Sequence, residues 1–160
     1  MLKRKLLNVL ALCLLVLSPL TSSYGQTPYT KGFDHIGLTV KDLQASTSFF
    51  VDTLGWRLTY EDKEYPASFV SDGNMFLTLW QVKDQAQAID FNRKQNVGLH
   101  HLAIKVKSFE ALDKLYEKLK EHPGVVIEFA PELAYGGPAK HMMVREPSGN
   151  RLEFKHSPAR

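Results

Sequence analysis

The chain has 160 residues, of which 44% are hydrophobic and 23% are charged, which is the composition of a globular protein with one core. Its formal net charge is +3, and Lys3, Arg4 and Lys5 account for all of it, so the remainder gives no electrostatic basis for binding nucleic acid. Cys13, the single cysteine, lies in the same N-terminal stretch. The rest of the chain therefore excludes thiol nucleophiles, disulfides and thiolate metal sites.

The first 25 residues have the pattern of a secretory signal peptide. A basic start precedes a mostly apolar run from Leu6 to Leu20, and small residues lead to a predicted cleavage at or near Gly25. The apolar run is shorter than the ~20 residues that span a bilayer as a helix. We expect a periplasmic or secreted protein with no stable membrane association after cleavage; an uncleaved anchor is the alternative.

The mature chain begins with an alternating strand, residues 34–41, that opens on His35. Asp42 can cap a helix over residues 43–54, and Gly55 ends it. The turn at residues 71–74 separates two further strands. The three strands that follow the helix are predicted at residues 57–61, 67–70 and 75–82.

A second copy of this pattern follows a polar linker at residues 83–98. The alternating strand at residues 100–107 carries His101 near its start, and Ser108 can cap a helix that runs to Glu121. The three strands after this helix are predicted at residues 125–129, 141–145 and 151–156. The order of one strand, one helix and three strands thus occurs twice, which indicates an internal repeat.

Strand alternation places three polar side chains on one side of the predicted sheets. Successive side chains of a strand point to opposite faces, so His35 and His101 face away from the apolar residues of their strands, as Glu153 does in the last strand. Two imidazoles and one carboxylate bind divalent iron, manganese or zinc and leave coordination positions open for substrate. The alternative is two hydrogen-bonded structural histidines and one surface carboxylate.

Three segments, residues 34–43, 99–106 and 146–154, together resemble the vicinal oxygen chelate superfamily. This group includes glyoxalase I, fosfomycin-resistance thiol transferases, extradiol dioxygenases and metal-free bleomycin-binding proteins. The resemblance covers about residues 31–156. It implies a single α+β domain over residues 26–160, in which two βαβββ modules (31–82 and 99–156) form a curled mixed sheet around a cup.

The resemblance also implies a metal site. Its ligands fall on His35, His101 and Glu153, and they would hold one divalent ion, which is Fe, Mn, Zn or Ni. Glyoxalase I has a fourth ligand where Thr78 stands here, and a neutral threonine is a poor ligand. Extradiol dioxygenases carry a tyrosine where Met143 stands. The chain therefore departs from both patterns in one position each.

His141 lies two residues before Met143 and shares its strand face. We expect it to act with Glu153 as a catalytic residue, as a proton donor or substrate contact; a histidine exposed to water on an edge strand is the alternative. On a regular strand His100 would face away from His101 and would have a structural role; support of a neighbouring site residue is the alternative.

The expected function is that of an exported metal-dependent enzyme that chelates a small oxygen-rich substrate through two adjacent oxygens. Lyase, isomerase and dioxygenase chemistry all remain open. The alternative is a non-catalytic protein that sequesters a small molecule such as an antibiotic. Because single-domain relatives usually form dimers, often with each metal site shared between chains, the resemblance implies a homodimer.

Overall fold

Two four-stranded mixed sheets, each accompanied by one helix, make up the chain from Phe33 onward. The computed structural model describes residues 28–159, so the predicted signal peptide lies outside the described residues. Within the described residues, none of the helices has the length and apolar character needed to cross a membrane. The sheets and helices confirm the predicted α+β class.

The first sheet contains the first predicted histidine strand at one edge. Asp42 caps α1 by accepting a hydrogen bond from the backbone N–H of Ala45 (2.9 Å), and Gly55 follows the helical segment with a φ of 77°. The elements are β1 (Ile36–Val40), α1 (Leu43–Ser48) with a π-helical continuation (Phe49–Thr53), β2 (Arg57–Asp62), β3 (Ala67–Ser71) and β4 (Phe76–Gln81), in the sheet order β1-β4-β3-β2.

The second sheet repeats this arrangement. Ser108 caps α2 through the backbone N–H of Ala111 (3.1 Å). The elements are β5 (Leu102–Lys105), α2 (Phe109–Lys120), β6 (Val126–Leu133), a 3₁₀ turn (Ala134–Gly136), β7 (Lys140–Arg145) and β8 (Arg151–His156), in the order β5-β8-β7-β6. In both sheets the histidine strand is an edge strand that runs parallel to the last strand of its module.

One hydrophobic core is shared by the two modules. Leu38 and Val40 of β1 are buried in it, as are Leu102 and Ile104 of β5. The helices contribute Phe49, Phe50, Leu112 and Leu119. Because the apolar residues of both edge strands face this core, the alternate side chains of those strands face the opposite side of each sheet.

The turn between β7 and β8 fixes the second sheet to the first module. Glu146 is 1% exposed, and its carboxylate accepts hydrogen bonds from Ser46 Oγ (2.6 Å) and from the backbone N–H of Ser148 (3.0 Å). Asn150 donates its backbone N–H and its side-chain amide to the same carboxylate and also donates to the carbonyl of Thr39. These bonds position the start of β8, and therefore Glu153, relative to β1.

Candidate functional site

The carboxylate of Glu153 lies between two imidazoles. Glu153 lies on β8, which is flanked by β5 and β7. His101, just before β5, and His141, on β7, therefore approach it from the two sides. Oε2 of Glu153 lies 3.2 Å from Nε2 of His101, and Oε1 lies 2.5 Å from Nδ1 of His141. The Glu153 side chain is 10% exposed. The structure thus brings together three of the four residues that the sequence predicts for the site.

The His101–Glu153 pair has the geometry of two metal ligands. An ionised carboxylate only accepts hydrogen bonds, so His141 donates its Nδ1–H to Oε1, and Oε2 remains directed at His101. With metal–ligand distances of about 2.1 Å, two donor atoms of one ion lie about 3.0–3.4 Å apart. The observed spacing of 3.2 Å therefore suits a divalent ion, as it also suits a shared proton.

His35 lies on the first sheet with different neighbours. Its Nδ1 is 2.7 Å from Oδ1 of Asp34, its ring meets Phe76 edge-on at 6.5 Å, and its side chain is half exposed. Within residues 28–159, no three His, Cys, Asp or Glu side chains surround a common centre that would hold a metal ion. The two predicted ligands His101 and Glu153 contact each other, and His35 does not join them.

His100 contacts His101 directly. Their Nδ1 atoms are 2.8 Å apart, and Nη1 of Arg151 lies 3.5 Å from Nδ1 of His100. Partial desolvation, followed by the positive charge of Arg151, lowers the pKa of His100. The expectation that the two histidines face opposite ways is wrong, because β5 begins only at Leu102 and strand alternation does not apply before it.

Glu128 organises the arginines beside this histidine pair. Its carboxylate accepts hydrogen bonds from Nε of Arg145 (2.7 Å) and Nε of Arg151 (2.6 Å), and Arg93 lies 3.7 Å away. Burial alone would raise the pKa of Glu128, but the hydrogen bonds from the two arginines outweigh it and lower that pKa. The sequence did not single out Glu128, because its contacts reach across three strands.

His141 is enclosed rather than exposed to water. It is 7% exposed on β7, an inner strand, and its ring lies 5.0 Å from that of Phe129. Nε2 of His141 is 4.0 Å from a carboxylate oxygen of Glu132. The neighbouring Tyr135 has a positive φ of 52° and an almost fully exposed side chain. The alternative of an edge-strand histidine open to solvent is therefore excluded.

Thr78 supports an aromatic side chain instead of offering a ligand. Its Oγ1 accepts a hydrogen bond from Nε1 of Trp80 (2.8 Å), and a Cβ on Gly37 would lie only 3.3 Å from the same oxygen. Neighbouring rings on this sheet face lie 5.2–5.9 Å from one another between centroids. These rings belong to Tyr60, Tyr65, Phe69, Phe76 and Trp80.

A cavity of about 240 Å³ borders the His101 side of the site. Its walls come from β1, from residues 96–98 of the predicted linker with the adjacent Leu99, and from the start of β8. A more open depression of about 820 Å³ along residues 81–87 contains none of the candidate site residues. The cavity next to the candidate site residues is therefore the smaller one.

Residues 32–154 match the sequence profile of the Glyoxalase/Bleomycin resistance protein/Dioxygenase superfamily. The chain belongs to this superfamily. The predicted resemblance to the vicinal oxygen chelate proteins is thereby confirmed at the level of the superfamily, and the two four-stranded sheets agree with it.

The chain is similar in sequence to the metapyrocatechase of Geobacillus stearothermophilus, a curated relative. It is 32% identical over 125 residues, which are 76% of this chain and 36% of that protein. The chain therefore spans about a third of the length of this relative. The similarity is therefore to one part of a longer protein.

Solved structures of the superfamily share the fold. A glyoxylase/bleomycin resistance protein/dioxygenase domain from Frankia sp. EAN1pec has a TM-score of 0.66 and 23% identity, with 81% of this chain and 93% of that chain covered. The fosfomycin resistance protein FosX from Listeria monocytogenes has a TM-score of 0.63 and 19% identity, with 81% and 95% covered.

Proposed function

We propose that this superfamily member is a metal-dependent enzyme acting on a small oxygen-rich substrate. One divalent ion is held by His101, Glu153 and His35, and the substrate supplies two adjacent oxygens. The 3.2 Å spacing of His101 Nε2 and Glu153 Oε2 is the observation that carries the proposal. When bound, such an ion acts as a Lewis acid that stabilises negative charge on the substrate oxygens.

The remaining residues of the site have supporting roles in this proposal. His141 donates to the second oxygen of Glu153 and keeps the carboxylate turned toward His101. Because His141 contacts the carboxylate that would bind the ion, we assign it the further role of carrying a proton to or from the substrate. The aromatic face around Trp80 offers a flat apolar surface to the substrate skeleton.

His35 reaches the metal from a second copy of the chain, which makes the active form a homodimer. The support for this is the separation of His35 from the His101–Glu153 pair and the half-exposed position of its ring. In such a dimer each site combines the second module of one chain with the first module of the other.

Mixing two defective variants tests the shared site. His35→Ala and Glu153→Ala are each expected to lose the metal. After denaturation and joint refolding, every heterodimer regains one intact site of its two, because the variant chains supply different ligands. Recovery of bound metal in the mixture, and in neither variant refolded alone, supports the proposal. No recovery from a mixture shown to contain heterodimers contradicts a shared site.

Dioxygenase chemistry is supported by the 32% identity to a metapyrocatechase, over a third of that protein. Lyase and isomerase chemistry leave dissolved oxygen unchanged, so an oxygen electrode with catechol as the probe separates the classes. Oxygen consumption that depends on added Fe²⁺ and disappears in Glu153→Ala supports the dioxygenase. Turnover of a diol or epoxide without oxygen consumption favours the other two.

A second candidate function is sequestration of a small molecule without turnover. It is supported by the cavity beside His101 and by the fact that residues 28–159 of one chain do not close a three-ligand site. Metal-dependent turnover of any compound by the wild type, absent in Glu153→Ala, would exclude it.

Export of the protein is part of the proposal. Its basis is the basic and then apolar pattern of the first 25 residues. N-terminal sequencing of the protein from periplasmic extract or medium is expected to begin near Gln26. Recovery of the chain only in the cytoplasm, with Met1 retained, contradicts export.

A further inference from the structure

The residue that precedes each histidine of the repeat contacts the same ring nitrogen of that histidine. Oδ1 of Asp34 lies 2.7 Å from Nδ1 of His35, and Nδ1 of His100 lies 2.8 Å from Nδ1 of His101. The two modules thus share a local arrangement that differs in chemistry: a carboxylate stands in the first and an imidazole in the second.

In the first module the direction of the hydrogen bond follows from the chemistry of the partner. A carboxylate only accepts, so Nδ1 of His35 is the donor. A neutral imidazole carries one proton, so Nε2 of His35 is then the nitrogen with a free lone pair.

In the second module the direction of the His100–His101 hydrogen bond follows from the guanidinium of Arg151. Nη1 of Arg151 lies 3.5 Å from Nδ1 of His100, and a guanidinium has donors and no acceptor. Glu128 holds this guanidinium in place through its Nε at 2.6 Å. The guanidinium beside Nδ1 of His100 favours a lone pair over a proton at this nitrogen. The proton between the two Nδ1 atoms then belongs to His101, which donates it to His100.

This tautomer leaves the lone pair of His101 on Nε2, the atom that faces Glu153 at 3.2 Å. Two acceptor atoms at that distance repel each other, and a cation between them removes this repulsion, so the tautomer that His100 imposes prepares the pair to bind one. A metal-binding histidine uses a bare nitrogen in the same way and donates its other N–H to a neighbouring group that orients the ring.

We propose that His100 and Asp34 are positioning residues that hold His101 and His35 in the Nδ1–H tautomer and so direct Nε2 of each toward the bound cation. The identity of that cation as a metal rests on the proposed function. The tautomer belongs to the metal-free chain, and it can be measured independently.

Two variants of His100 separate a tautomer effect from a general structural effect. His100→Leu removes the acceptor, whereas His100→Asn places an amide oxygen where Nδ1 was. His100 is exposed, so neither variant disturbs the core. Asp34→Leu and Asp34→Asn form the corresponding pair in the first module.

The first readout is the two-bond ¹H–¹⁵N correlation spectrum of the metal-free protein at about pH 8, where an ordinary imidazole is neutral. Signals are assigned with His101→Gln and His35→Gln. Wild-type His101 is expected to be protonated at Nδ1, and to shift toward Nε2–H in His100→Leu and not in His100→Asn. A wild-type Nε2–H tautomer, an unchanged tautomer in His100→Leu, or failure of His100→Asn to retain it overturns the proposal.

The second readout is the affinity for Zn²⁺ in competition with a chelator. His100→Leu is expected to weaken it about 10- to 100-fold, the usual effect of losing such an outer partner, and His100→Asn to retain most of it. If the wild type shows the Nδ1–H tautomer but binds no divalent ion, the proposed function fails and the role of His100 stands. If it binds the ion with His101 protonated at Nε2 in the metal-free state, the role of His100 fails and the function stands.

Discussion

Thr47 carries a buried hydroxyl that has no hydrogen-bond partner among the described residues. It lies in α1 at 7% exposure, and among residues 28–159 its Oγ1 is the buried side-chain polar atom without a hydrogen-bond partner. We expect Thr47→Val to raise the free energy of unfolding by about 1 kcal/mol, because the shape is kept and the unpaired group is removed. Urea denaturation measures the change, with Thr47→Ser as the control that keeps the hydroxyl. A less stable Thr47→Val protein would show that the hydroxyl has a partner.

Glu128 makes stability depend on acid. Its pKa lies below its ordinary value because the hydrogen bonds from Arg151 and Arg145 outweigh the opposing effect of burial. A carboxyl whose pKa is lowered on folding stabilises the protein at pH values above its unfolded pKa, and this contribution is lost as the pH falls through the folded pKa.

The wild type is therefore expected to melt at a higher temperature than Glu128→Gln at pH 7, and this difference should shrink as the pH falls below about 4.5. Melting temperatures of both proteins across this range measure the effect. A difference that stays constant down to pH 3 would contradict the assignment.

Residue contacts were only partly predictable from the sequence. Alternation along the predicted strands placed His101 and Glu153 on one side, and the structure brings Nε2 of His101 to 3.2 Å from Oε2 of Glu153. Alternation failed for His100, which lies two residues before the start of β5 at Leu102, whereas His101 directly precedes that strand. The Glu128 contacts were missed because a side chain on β6 reaches arginines on β7 and β8, and sequence spacing does not encode such cross-strand pairs.

At the scale of elements, the turn between β7 and β8 holds β8, the strand that carries Glu153, in place. Glu146 accepts four hydrogen bonds, from Ser46, Ser148 and Asn150, at 1% exposure. Glu146→Gln replaces one accepting oxygen by a donor that faces other donors, so we expect a loss of about 2–4 kcal/mol in the free energy of unfolding.

Chemical denaturation of Glu146→Gln checks this value, with the exposed Glu117→Gln as the matched control. Glu117 forms a surface ion pair with Lys120 on α2, so its variant should change stability by less than about 0.5 kcal/mol. Equal effects of the two substitutions would show that the buried network contributes little.

Element types followed from the sequence better than element ends. Capping residues predicted both helix starts, and Asp42 and Ser108 act as caps. The first helix, predicted over residues 43–54, changes from α-helical to π-helical geometry at Phe49, and the local sequence does not indicate this change. β6 runs on to Leu133 past Pro131, although the prediction ended it at Phe129. This is possible because β6 is an edge strand with register shifts, where a missing N–H is tolerated.

At the scale of the whole molecule, the fold was predictable from the sequence. The repeated order of strand, helix and three strands, together with the resemblance to vicinal oxygen chelate proteins, predicted two matching modules, and each histidine strand is the parallel edge of its sheet. The resemblance implied that metal sites are often shared between chains, but the sequence does not show which ligands lie together in one chain. Within residues 28–159, His35 does not join His101 and Glu153. In the proposed dimer a second chain supplies His35.

The most direct measurement is the metal content of the purified protein, determined by elemental analysis beside Glu153→Ala and the surface control Glu117→Gln. The proposed site predicts about one divalent ion per chain in the wild type and in Glu117→Gln, because the ion needs the carboxylate of Glu153 and not that of Glu117. It predicts loss of that ion in folded Glu153→Ala. A wild-type protein that remains metal-free after incubation with Fe²⁺, Mn²⁺, Zn²⁺ and Ni²⁺, or a Glu153→Ala variant that keeps the ion, would contradict the metal site.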